Sequence, residues 1–131
     1  KSLQEGSDWI DGKGEVIFNN VLTVKNVSPY KYAFCSDTRY HKPLIEKIKE
    51  VDLLYHEATF MSNLEDRAIE TGHSTTLQAG KIAREAKVKK LLIGHYSQRY
   101  KNTEDLLDET VKIFSNSCLA SAGLTISFEE I

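Results

Sequence analysis

Three short apolar runs in this chain each end on a residue that can bind a metal or carry a proton. YAFCS (32–36) runs into Asp37, VDLLY (51–55) into His56 and Glu57, and LLIG (91–94) into His95. Short apolar runs bounded by polar residues read as buried strands. The segments between them have helical spacing: HKPLIEKIKE puts Leu44, Ile45 and Ile48 on one side, and TTLQAGKIAREAK aligns Leu77, Ala79, Ile82, Ala83 and Ala86. Strand and helix in alternation predict a sheet with helices on its face, an α/β layer architecture. In open sheets of that kind the carboxyl ends of the strands form the crevice where ligands bind. Asp37, His56, Glu57 and His95 can therefore converge although they are far apart in sequence.

The remaining segments extend the pattern. NTEDLLDETVKIFSN predicts a helix capped by Asn102 or Thr103, carrying Leu106, Leu107, Thr110, Val111 and Phe114 inward. CLASA and LTISFE, on either side of Gly123, predict two final strands, and Glu15–Lys25 (EVIFNNVLTVK) predicts another, joined to Lys31–Ser36 through a break at Ser28-Pro29. A chain of 131 residues fits one domain and can bury roughly two-thirds of its unfolded surface. With 17 basic and 19 acidic residues the net charge is −2, which excludes a uniformly basic nucleic-acid coat and leaves room only for a local patch. Cys35 and Cys118 form no Cys-x-x-Cys pair, so they predict buried thiols in a reducing cytoplasm rather than a disulfide framework. No apolar run approaches the roughly 20 residues of a membrane span, and KSLQEGSDW does not have the pattern of a signal peptide. The opening Lys in place of Met suggests a fragment whose beginning lies elsewhere.

Several of these residues carry a structural reading beside the chemical one. Asp37 before Thr38 can cap a turn. His73 in TGHSTT precedes a helix, where backbone donors suit an anion such as phosphate, yet Ser74 and Thr75 are good N-caps that explain the motif without catalysis. His56, under an apolar strand, reads as a structural histidine and stays outside the metal set. His41 beside Pro43 reads as exposed, and Lys81, Arg84, Lys87, Lys89 and Lys90 read as a solvated face.

CSDT (35–38), HEATF (56–60), GHST (72–75) and GHYSQRY (94–100), in this order and after a GSDWIDGKG lead-in, resemble the C-terminal part of the ribonuclease Z family. These are tRNA 3′-processing endonucleases of the metallo-β-lactamase superfamily, and the resemblance covers essentially the whole chain. It implies that residues 1–131 are the C-terminal half of a single αββα sandwich domain, with two zinc ions at the sheet ends, precursor tRNA as substrate, a homodimer and a cytoplasmic location. It also implies roles: Asp37 bridges the zincs, His95 is the last zinc-ligating histidine, His73 acts in catalysis supported by Glu57, and Ser97 and Arg99 lie near the scissile phosphate.

Such a zinc pair would turn water into a nucleophile near neutral pH and clamp phosphate oxygens. A histidine beside a carboxylate is suited to protonating the leaving ribose oxygen, and the planar fork of an arginine to binding phosphate. The family's His-x-His-x-Asp-His motif, its intervening histidine ligand and its tRNA-gripping arm are not in this sequence. The implication is that this stretch supplies part of an active site, binds zinc weakly by itself and needs an N-terminal portion for activity. Another metallo-β-lactamase-fold phosphodiesterase, or a non-catalytic scaffold or signalling α/β domain, are the alternatives.

Overall fold

In the computed structural model, which describes residues 2–24 and 28–131, the apolar runs form one four-stranded sheet with every strand parallel. A separate antiparallel hairpin comes first, β1 (Trp9–Ile10) with β2 (Val16–Ile17), followed by one helical turn, α1 (Asn19–Leu22). The main sheet then runs β3 (Tyr32–Cys35), β4 (Leu53–Glu57), β5 (Lys90–Gly94) and β6 (Ser117–Leu119), in that spatial order. The connections are α2 (Leu44–Lys47) after β3, α3 (Glu65–Thr71) and α4 (Thr76–Glu85) after β4, and α5 (Glu104–Val111) after β5.

Because the strands succeed one another in space as in sequence, right-handed crossovers send α2, α4 and α5 to the same face. Accordingly α4 packs against both α2 and α5. On that face Cys35, Leu54, Leu91 and Ile93 meet Ile45, Ile48, Ala79, Ile82, Ala83 and Leu106 in one buried cluster. Each fully buried Leu or Ile there contributes about 1.5–3 kcal/mol. Gly80 lets the helices close up, since a Cβ there would lie 3.1 Å from Ile113 Cβ. The expected stripe on α4 is present except at Leu77, which is half-buried.

Among the described residues the opposite face has no helical cover. Tyr32 and Phe34 are 52% and 63% exposed, and Phe34 stacks on Tyr55 with ring centroids 4.5 Å apart. A groove of about 350 Å³ on this side is lined by Tyr32, Leu53, Leu92, Leu124, Ile126 and Phe128, toward the strand starts and away from the polar strand ends.

Two expected strands do not form as expected. In Glu15–Lys25 only Val16–Ile17 pairs, and Lys25 lies outside the described residues. The Asn19 N–H donates to Asp8 Oδ1 at 2.7 Å and its side-chain amide to Leu3 O and Ser7 O at 2.7 and 3.0 Å, so local side-chain bonds replace a ladder and a helical turn begins. Beyond Gly123 (φ 83°), LTISFE joins no sheet; its apolar residues lie over the open face and a 3₁₀ turn follows at Phe128–Glu130. Of CLASA only Cys118 and Leu119 are in β6. Helix α5 starts with the Glu104 N–H donating to Asn102 Oδ1 at 3.1 Å, whereas the Thr103 side chain caps nothing. Helix α3 had no apolar stripe long enough to announce it. Among the described residues no helix is long and apolar enough to cross a membrane.

Candidate metal and phosphodiester site

The carboxyl ends of β3, β4 and β5 meet as the apolar runs predict. Asp37 follows β3 and His95 follows β5, and both take left-handed backbone angles, φ 50° and 59°. Such angles are uncommon for residues with a Cβ and cost energy, so they mark places where surrounding structure forces a side chain into a particular direction. Here the turns aim both side chains at each other: Asp37 Oδ1 lies 3.3 Å from His95 Nε2. His73 joins them from the loop before α4. One carboxylate oxygen of Asp37 and one ring nitrogen each of His73 and His95 lie within 4.8 Å of one another.

Glu57 organises this cluster from below. It is fully buried and accepts four hydrogen bonds: Oε1 from the Thr38 N–H (2.6 Å) and His73 Nδ1 (3.0 Å), Oε2 from the Thr59 hydroxyl (2.6 Å) and the Ser74 N–H (3.1 Å). A hydroxyl has one proton. The Thr59 hydroxyl lies 2.6 Å from Glu57 Oε2 and 2.9 Å from the His95 carbonyl; the charged carboxylate is nearer and the stronger acceptor, so the proton goes there and Thr59 Oγ1 accepts from His95 Nδ1, 2.9 Å away. Both imidazoles therefore carry hydrogen on Nδ1 and present a bare Nε2 to the space beside Asp37. Glu57 sets the first tautomer directly and the second through Thr59.

The segment around His73 is held on both sides. Gly72, at φ 77°, ends α3, and the His73 N–H donates to Ala68 O at 2.8 Å. Thr75 is the N-cap of α4 in a reciprocal box with Gln78, at 3.3 and 3.0 Å. The helix start is satisfied without the His73 side chain. Ser74 donates its hydroxyl to Thr38 O at 2.7 Å, tying this loop to the Asp37 turn.

Ser97 and Arg99 lie just beyond His95. The Ser97 N–H donates to Thr59 O at 3.1 Å, and Ser97 Oγ accepts from Arg99 Nε at 3.1 Å. The Arg99 guanidinium sits 5.1 Å over the Phe60 ring, and the same ring stands edge-on to His73 with centroids 6.2 Å apart. His56 points the other way, into the helix-covered core. It is fully buried, its Nδ1–H donates to Glu57 O at 2.7 Å, Nε2 has no partner, and burial pushes its pKa below the ordinary value. His41 is exposed. Of the basic residues, Lys81, Arg84, Lys87 and Lys89 are exposed; Lys81 stands 5.4 Å over the Tyr40 ring, and Lys89 pairs with Asp52 at 2.8 Å. Thr38, Thr59 and Ser74 were absent from the sequence-based set; their only signal was a hydroxyl placed close to each predicted site residue.

Two bare imidazole nitrogens beside a carboxylate make a donor set that suits zinc. Three donors are enough to start one such site but too few for two four-coordinate ions.

No family model matches the sequence. Over 129 residues the chain is 50% identical to Ribonuclease Z of Phocaeicola vulgatus, an alignment covering 98% of this chain and 42% of that protein. The chain belongs to the ribonuclease Z family. It is also 47% identical over 122 residues to Ribonuclease Z of Porphyromonas gingivalis, covering 93% of this chain and 40% of that one. The chain thus spans about two-fifths of the length of the ribonuclease Z relatives it matches. Among solved structures, the metallo-β-lactamase fold protein YhfI from Bacillus subtilis superposes with a TM-score of 0.64 at 28% identity, over 70% of this chain and 37% of that one. Human tRNase Z, short form, superposes with a TM-score of 0.51 at 33% identity, over 64% of this chain and 27% of that one. The fold is of the metallo-β-lactamase type, and its one sheet with one helix layer is consistent with the C-terminal half of an αββα sandwich.

Proposed function

We propose that the complete protein is a zinc-dependent endoribonuclease that removes 3′ trailers from precursor tRNA, and that this stretch supplies part of its active site. The observation that carries the reading is the Glu57 hub, which turns the bare Nε2 atoms of His73 and His95 toward Asp37. Asp37 and His95 would hold zinc, with the two oxygens of Asp37 available to two ions. Zinc, when bound, supplies Lewis acidity toward the phosphate oxygens and makes water a nucleophile near neutral pH.

The chain's own residues do the rest. Arg99, held by Ser97 and the Phe60 ring, keeps its terminal nitrogens for the phosphate. Water adds to phosphorus, the bond from phosphorus to the ribose 3′-oxygen breaks, and its electron pair stays on that oxygen. The surplus proton of the water goes to solvent; His73, once it has taken a proton from solvent onto its bare Nε2, gives that proton to the oxygen, while the Glu57 bond to Nδ1 holds the ring in place. The tRNA body leaves with a 3′-hydroxyl and the trailer keeps the phosphate.

The remaining length seen in the relatives would supply the other zinc ligands and the second sheet over Tyr32 and Phe34, in a cytoplasmic homodimer. The test is cleavage of a precursor tRNA with a 3′ trailer by the full-length protein. Product ends mapped at the trailer junction, lost with a chelator and regained with zinc, support it; an intact precursor under those conditions refutes it. Turnover of a small nitrophenyl phosphodiester with no cleavage of precursor tRNA would instead select another metallo-β-lactamase-fold phosphodiesterase.

A further inference from the structure

A second carboxylate, from the helix layer, grips the same two loops that Glu57 joins. Glu109 on α5 is half-buried and accepts the Ser62 N–H at 2.9 Å and the Ser62 hydroxyl at 2.6 Å. Its Oε2 also accepts the Thr76 hydroxyl. Burial alone would raise its pKa, but the bonds from Ser62 and Thr76 prevail and hold Glu109 below the ordinary carboxylate value. Ser62 closes the loop that leaves Glu57, and Thr76 is the first residue of α4, three places after His73. Between these anchors a parallel bridge pairs Phe60 with Thr75: the Phe60 N–H donates to Ser74 O at 3.3 Å and the Thr76 N–H to Phe60 O at 2.9 Å.

The grip of Glu109 is not needed to start the helix, because Thr75 and Gln78 already cap α4 and the Thr76 N–H is already taken by Phe60. What remains for Glu109 to fix is where one loop sits relative to the other. We propose that Glu109 is a positioning residue for His73: by locking Ser62 to Thr76 at the helix side, it keeps the His73 imidazole against Glu57 with Nε2 toward Asp37 and His95, without touching substrate. The proposal rests on the reading of His73 as proton donor.

The test uses the full-length protein as wild type, Glu109→Ala, Glu109→Gln, His73→Ala and the His73→Ala/Glu109→Ala double variant. Zinc content, single-turnover cleavage of precursor tRNA and amide hydrogen exchange at Phe60 and Thr76 are measured on each. Glu109→Ala is expected to keep its zinc, to exchange faster at both amides, and to slow cleavage roughly 10- to 100-fold, the scale of a ~1 Å misplacement. Half-saturating RNA concentration should change little, and Glu109→Gln, which retains an accepting oxygen, should recover part of the rate. In the His73→Ala background the second substitution should cost less than about twofold, because its route to the chemistry is already gone.

An equal slowing in both backgrounds, or loss of zinc, would overturn the proposal, as would unchanged exchange at Phe60 and Thr76. If Glu109→Ala does not fold, Thr76→Val removes one strand of the grip and takes its place with the same expectations. If the wild type itself leaves precursor tRNA intact, the functional reading fails and amide exchange alone decides the clamp.

Discussion

Replacing Glu57 by glutamine keeps the side-chain volume and turns one accepting oxygen into a donor, in a site where all four partners are donors. If the amide nitrogen takes the place of Oε1, it faces the Thr38 N–H at 2.6 Å; in the place of Oε2 it faces the Ser74 N–H at 3.1 Å. Imidazole and hydroxyl partners can reverse their roles, but a backbone N–H cannot. Either orientation strands one buried backbone donor, at about 1–3 kcal/mol. The surviving bonds also lose their charge assistance, which brings the expected destabilisation to about 3–5 kcal/mol, the scale of breaking a buried charged network. The rate should fall roughly 10²- to 10⁴-fold with it, because His73 loses its anchor and Thr59 is free to turn its proton toward the His95 carbonyl, 2.9 Å away. Urea unfolding of the full-length protein with a chelator present measures the first effect and single-turnover cleavage the second. A destabilisation below about 1 kcal/mol, or a rate within threefold of wild type, would refute the idea that Glu57 holds both tautomers.

In the full-length protein Asp37→Ala and His95→Ala should each lower zinc content and activity together; elemental analysis showing full zinc in both would remove them from the ligand set. His73→Ala should retain zinc while slowing cleavage about 10²- to 10⁴-fold, and a sulfur leaving atom, which needs little protonation, should restore much of the rate. Loss of zinc in that variant would instead make His73 a ligand. His56 is held neutral by burial, with its pKa lowered from 6.5, so the unfolded chain takes up a proton that the folded chain refuses. Its contribution to stability is therefore complete above about pH 6.5 and declines below that, by at most about 1.4 kcal/mol per pH unit, until the lowered folded value is reached. His56→Leu should flatten this decline by one proton in urea titrations between about pH 7 and 5; an unchanged slope would mean that another group causes it.

The sequence by itself determined the strand positions and what stands at their ends. An apolar run can be buried only as a strand or helix interior, and Leu53–Tyr55 and Leu91–Gly94 are too short for helices, so Glu57 and His95 had to emerge where those strands finish. Strand alternation also separated His56 from Glu57, one facing the helices and the other the site. The inward stripe of α4 was legible for the same reason, because a period of 3.6 is a local property. Tertiary structure alone decided the rest. LTISFE has a strand's composition, but whether it pairs at a sheet edge or lies over an open face depends on the register of β6 and the turn at Gly123, which local periodicity does not encode. The proton positions on His73 and His95 depend on Thr38, Thr59 and Ser74 meeting one carboxylate from three different loops. Such a hydrogen-bond network is a product of long-range packing: each member is an ordinary hydroxyl or backbone amide in the sequence, and acquires its role only when burial removes water as the alternative partner.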